Sequence, residues 1–160
     1  MHPNTALLQR LFGALDKHDH STMASCYHPA ATFRDIAFDL RTRREIHSMW
    51  HMVCEGDIRV TFDVLQADDQ AGCVALVDTY TFGARPSTKE RRPVRNPVDS
   101  YFRFEGGLIV AQDDICDARQ WAKAAIGGVA GFLAGRIHIL RRMKAQERLQ
   151  AFVDTHPEYR

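Results

Sequence analysis

A chain of 160 residues, 45% apolar and 26% charged, has the composition of one folded domain able to bury a real core, not of a disordered polymer. Its net charge of +1 at pH 7 sets up no strong field for a polyanion, so no nucleic-acid partner is expected. The longest apolar stretch, residues 124–135, falls well short of the roughly twenty residues of a spanning helix, so no membrane partner is expected.

The opening MHPNTALLQRLF runs straight into an amphipathic pattern, with no charged segment ahead of an apolar one. No signal peptide is expected, and the expected location is the cytoplasm. Cys26, Cys54, Cys73 and Cys116 are widely spaced and form no C-x-x-C pair, which fits free buried thiols in a reducing compartment. Arg91, Arg92 and Arg95 cluster, as do Arg136, Arg141, Arg142 and Lys144. No aromatic residues interleave them, and they read as solvated faces.

Asn4 or Thr5 can cap a first helix, in which Leu8, Leu11, Phe12 and Leu15 recur at helical spacing. DKHDH breaks it, and Ser21 can cap a short second helix through Tyr27, which His28-Pro29 stops. A strand over residues 31–36 carries Asp35 inside the run ATFRDIAFDL. An acid there either caps a turn at the strand end or works as a base inside a pocket. A third helix over residues 42–54 places Ile46, Met49, Trp50 and Val53 on one stripe.

After EGD the period changes. Ile58, Val60, Phe62 and Val64 alternate with polar residues, the pattern of a half-buried strand. Residues 73–82 form a second such strand, followed by the polar loop GARPSTKERRP. VRNPVDSYFRF and LIVAQDDICD read as two more strands joined by the hairpin signal EGG, with Pro97 marking a bulge or an edge. The tail is helical again. Glycines at 127, 131 and 135 demand a close-packed neighbour or a break at Gly127-Gly128, and RIHILRRMKAQERLQAFV is a final amphipathic helix. Helices followed by a run of strands mean α+β, with a strongly curved antiparallel sheet wrapped around the N-terminal helices to leave a cone-shaped cavity. One domain is expected, residues 1–126 forming the cone and 127–160 a C-terminal helical extension.

LLQRLFGALDKHDHSTMASCYHPAATFRDIAFDLRTRREI, with RPVRN and FRFEGGLIVAQDD downstream, resembles the nuclear transport factor 2 fold superfamily in its SnoaL-like and ketosteroid isomerase-like branch. The resemblance covers about residues 6 to 126 and specifies fold better than reaction. It implies a general-base role for Asp35, at the isomerases' aspartate position, and for Asp114, at the cyclases' late-strand aspartate. The isomerases' oxyanion tyrosine falls at Leu11 and their oxyanion acid near Ser100, with Asp99 on the other strand face. Such losses argue against steroid isomerisation. The cyclases' histidines fall at Gln112 and Arg95, which alters the support of the base. The aspartate–arginine–aspartate trio of this fold's epoxide hydrolases is not matched, the nearest step being Arg103-x-Glu105.

His47 and His51 stand four apart on the third helix, a metal-compatible spacing, but no third ligand is evident and no metal or organic cofactor is expected. His51 is expected beside Trp50 at the cavity mouth, where it could carry protons. His2, His18, His20, His28, His138 and His156 fall in loops, caps or the tail and receive no role. Phe12, Phe38, Trp50, Tyr80 and Phe102 are core residues that also line the ligand space, Tyr80 offering a hydroxyl. The expected function is aspartate acid–base chemistry beside a carbonyl in a small hydrophobic molecule, by Asp35 and Asp114. The alternative is a non-catalytic ligand-binding or dimerisation module. A homodimer through the outer sheet face is expected.

Overall fold

The structure, a computed structural model, describes residues 1–82, 92–125 and 138–160. Helices α1 (Pro3–Asp16) and α2 (His20–Ser25) lead into strand β1 (Tyr27–Arg34), the short β2 (Asp39–Leu40) and helix α3 (Arg43–Cys54). Strands β3 (Arg59–Ala67), β4 (Ala71–Phe82), β5 (Arg92–Glu105) and β6 (Leu108–Cys116) follow. Helices α4 (Ala118–Ala125) and α5 (His138–Thr155) and a 3₁₀ turn (Pro157–Tyr159) end the chain. The polar loop after residue 82, the three tail glycines, Arg91, Arg136 and the His138 side chain lie outside the described residues.

The fold is α+β, but the sheet is mixed and not purely antiparallel. Its order is β2-β1-β6-β5-β4-β3, and β1 runs parallel to β6, with Phe33 opposite Gln112. Helix α3 and four strands separate β1 from β6, enough chain for a parallel crossover.

Helix starts differ in detail from the sequence reading. His2, not Asn4, caps α1, its Nδ1 accepting from the Asn4 N–H at 3.1 Å. Asn4 is buried and donates to the Asp68 carbonyl at 2.8 Å. Asp19, not Ser21, caps α2 by accepting from the Thr22 N–H. That helix ends at Ser25, and Tyr27 already belongs to β1. Helix α3 opens with a capping box between Thr42 and Glu45. The hairpin at Gly106-Gly107 has φ of +58° and +76°, the left-handed pair that glycine adopts without strain.

The core lies between the inner sheet face and helices α1–α3. Leu8, Leu11, Phe12 and Leu15 of α1 are buried with Val60, Val74, Leu76, Val98 and Phe102 of the sheet. Each such side chain contributes about 1.5–3 kcal/mol on full burial. Pro97 is tolerated because β6 pairs with β5 only from Val98 onward, leaving β5 a local edge beside it. The irregularity falls instead in the β5–β6 ladder, where Arg103 and Phe104 face Ala111 and Ile109 and Val110 of β6 is the extra residue. It shifts the phase of β6, so Ile109 packs in the core, whereas strict alternation from Asp114 would have turned Leu108 and Val110 inward.

Candidate functional site

Five inward positions on adjoining strands carry polar groups: Asp78 on β4, Asn96 and Ser100 on β5, and Gln112 and Asp114 on β6. Ser100 stands opposite Asp114, and Asp78 opposite Asn96. Gln112 and Ser100 are fully buried and both serve Asp114. Gln112 Nε2 donates to Asp114 Oδ1 at 2.9 Å and to Ser100 Oγ at 3.2 Å. Ser100 Oγ donates to the same Asp114 oxygen. Behind Gln112, the Tyr27 hydroxyl donates to Gln112 Oε1 at 2.5 Å, and Trp50 Nε1 donates to that hydroxyl at 3.1 Å. This chain locks the amide with its N–H groups toward Asp114. Among the described residues, none donates to Asp114 Oδ2.

Asp35 follows the end of β1 and fills the turn role foreseen for it. Its Oδ1 accepts from the N–H groups of Ala37 and Phe38 at 2.7 and 2.6 Å, an Asx turn. It also sits where a base could act. Burial pushes its carboxyl up, opposed by those two N–H groups and by the charges of Arg142 and Arg141. Its own charge acts on Asp78, Tyr80, Asp114 and Cys116, four side chains on two other strands. The curvature of the sheet therefore brings these groups around one region. Asp35 and Asp114 border the same cleft, about 400 Å³, together with Arg34, Ile36, Arg141 and Arg142. Arg141, expected on a solvated face, instead donates to the Ile36 carbonyl at 2.9 Å, which seats α5 against the Asp35 turn.

Burial pushes Asp114 up to about 7, with the charges of Asp35 and Asp113 adding to it and the Ser100 and Gln112 bonds opposing. Asp114 keeps some accessible surface as a residue, yet burial still dominates its titration. Asp78 is likewise pushed up to about 7, by burial and then by Asp114 and Asp35. Its Oδ1 is buried and receives no hydrogen bond among the described residues. The sequence reading passed over Asp78. Its parity with Val74, Leu76 and Tyr80 was the available signal.

The other expected site residues fall into three places. Phe12 packs on Phe62 and Phe102, with ring centroids 5.5 and 6.0 Å away, in the core between α1 and the sheet. Phe38 is buried beside the Asp35 turn, and Trp50 meets Phe33 edge-on. The Tyr80 hydroxyl accepts from Trp121 Nε1 of α4 at 2.5 Å, and burial pushes it up to about 12, so it stays protonated. His51 is not beside the carboxylates. It stacks on His20 of α2 at 3.7 Å and faces the tail, because it leaves α3 on the side away from Trp50.

The sequence profile of the SnoaL-like domain family matches residues 8–112, more than half of the chain. No curated protein matches it in sequence. Among solved structures, an LEH-like epoxide hydrolase from M. tuberculosis is similar at TM-score 0.60 and 16% identity, over 81% of this chain and 94% of that one. An NTF2-like protein of unknown function from Burkholderia pseudomallei K96243 gives 0.65 and 15%, over 78% and 98%. The epoxide hydrolase/cyclase-like enzyme SalBIII, described for pyran ring formation in the polyether salinomycin, gives 0.61 and 14%, over 71% and 89%. At such identities the likeness is one of fold.

Proposed function

The chain belongs to the SnoaL-like domain family, and on that footing we propose that it binds a small hydrophobic carbonyl compound and moves a proton beside the carbonyl, with Asp114 as the base. The observation that carries this reading is the fixing of Asp114 Oδ1 by Gln112 and Ser100. A positioned carboxylate that titrates near neutral pH is matched to general-base work. Oδ2 takes the proton from carbon, and the electron pair left behind moves onto the carbonyl oxygen. The neutral Asp114 then returns the proton to another carbon. Tyr80, protonated and with its hydroxyl hydrogen unused by Trp121, is the donor for the developing oxyanion. The charge of Asp35 helps keep Asp114 basic, and Asp35 can exchange protons in the shared cleft. Ile36 and Ile115 offer apolar contact in the shared cleft, whereas Phe12, Phe38, Trp50 and Phe102 pack in the core behind it.

A second reading, a non-catalytic binding or dimerisation module, is favoured by Leu11, which is fully buried and offers no hydrogen bond to a ligand. Deuterium exchange separates the two. Enolisable cyclic ketones incubated with the protein in D₂O should gain deuterium beside the carbonyl, and Asp114→Asn should abolish the gain. Binding of such ketones without exchange by the unaltered protein would favour the module.

A further inference from the structure

The last turn of α3 and the segment after α5 gather a second set of titratable groups, on the side of α3 away from the carboxylates. His51 and Glu55 stand one helical turn apart, Glu55 as the C-terminal cap of α3, and His156 arrives from the far end of the chain. One donor atom from each of the three lies within 4.8 Å of the others. We propose that His51, Glu55 and His156 bind a divalent cation of zinc type, which ties the C-terminal segment to α3.

Three observations support the assignment. The distance from His156 Nε2 to Glu55 Oε1 is 3.8 Å. Ligands about 2.1 Å from a tetrahedral zinc stand about 3.4 Å apart, so this pair lies within about half an ångström of that spacing. Next, both histidines are held from behind. His156 Nδ1 lies 2.8 Å from the Phe152 carbonyl, and His51 Nδ1 lies 3.0 Å from the Tyr159 hydroxyl. The Phe152 carbonyl can only accept, so it holds the proton on His156 Nδ1 and leaves Nε2 its lone pair. The Tyr159 hydroxyl can accept from His51 Nδ1 in the same way, as outer partners orient metal-bound imidazoles. Finally, the site lies at a helix C-terminus, whose carbonyls carry partial negative charge and favour a cation. Two imidazoles and one carboxylate suit zinc better than calcium or magnesium. His47, the residue whose spacing first pointed to a metal, is engaged elsewhere: its Nε2 meets His20 Nδ1 at 2.9 Å.

The test uses untagged full-length protein stripped with a chelator, titrated with Zn²⁺ against a chromophoric competitor. One zinc per chain is expected, with Glu55→Gln and His156→Ala each weakening binding at least tenfold while circular dichroism confirms folding. His47→Ala should change affinity less than about twofold, and Co²⁺ should give the visible bands of a four-coordinate ion. Equal affinity in the three proteins, loss of binding that follows His47 instead, or no saturation by about 100 µM Zn²⁺ would overturn the assignment. Because Asp114 takes no part, the result is independent of the deuterium-exchange experiment.

Discussion

Gln112 Nε2 donates to Asp114 Oδ1 at 2.9 Å across two positions of one strand, and the same amide accepts from Tyr27. One buried side chain thus joins the hydrogen bonds of the core to the candidate base. Gln112→Ala should therefore do two things. It should destabilise the fold by about 1–3 kcal/mol in urea unfolding, because the buried Tyr27 hydroxyl loses its acceptor. It should also raise the Asp114 pKa further, since the Gln112 bond favours the charged form.

Asp78 and Asp114, the two most strongly raised carboxyls, contribute to the pH dependence of stability. Asp78 and Asp114 titrate near 7 in the folded chain, against 3.8 as the ordinary value. Between these values the folded chain holds more protons than the unfolded one, so these groups make stability fall as pH rises from about 4 to about 7. Their contribution is flat outside that window. Asp78→Asn should remove much of this slope and stabilise the protein at about pH 8, by on the order of a few kcal/mol at most. Urea midpoints across pH measure it.

Tyr80→Phe separates a donor from a wall residue. If the hydroxyl holds the oxyanion, exchange into the ketone should slow by about 10²–10³-fold with ligand affinity nearly unchanged. A rate within about twofold of the unaltered protein would leave Tyr80 as packing alone.

The outer sheet face predicts assembly. Leu65, Tyr101 and Ile115 are exposed to 59%, 46% and 60%, and a groove of about 690 Å³ runs past Thr61, Asp63, Val77, Pro97, Asp99 and Ile115. These residues share the parity opposite to the carboxylates. Sedimentation equilibrium should give about twice the 18.2 kDa chain mass, and Ile115→Glu should shift it toward one chain. A single-chain mass for the unaltered protein would exclude the dimer.

The extent to which the site was legible follows from how local each signal is. Phe33, Asp35 and the strand alternation are local, so the approximate position of Asp35 and the inward face of Asp114 could be read. The route to Asp114 ran through the wrong neighbours, because the irregularity at residues 109–111 changes the phase of β6 and nothing in LIVAQDD marks it. Gln112 read as the loss of a supporting histidine. Only the parallel β1–β6 pairing, which no local pattern encodes, brings the strand that starts at Tyr27 alongside β6 and turns Gln112 into a support. The His51–Glu55–His156 group was invisible for the same reason, since a separation of about a hundred residues carries no spacing rule. Capping and turn chemistry fared in between: Thr42 with Glu45 and the Gly106-Gly107 hairpin follow from short motifs, whereas His2 as a cap does not.

The most direct measurement is the titration of the Asp114 carboxyl carbon by ¹³C NMR, assigned with Asp114→Asn. An apparent pKa well above 3.8 and near 7, sharing a second step with Asp78, is what a base held in this site predicts. A value at or below 3.8 would make Asp114 a structural acid and contradict the acid–base account.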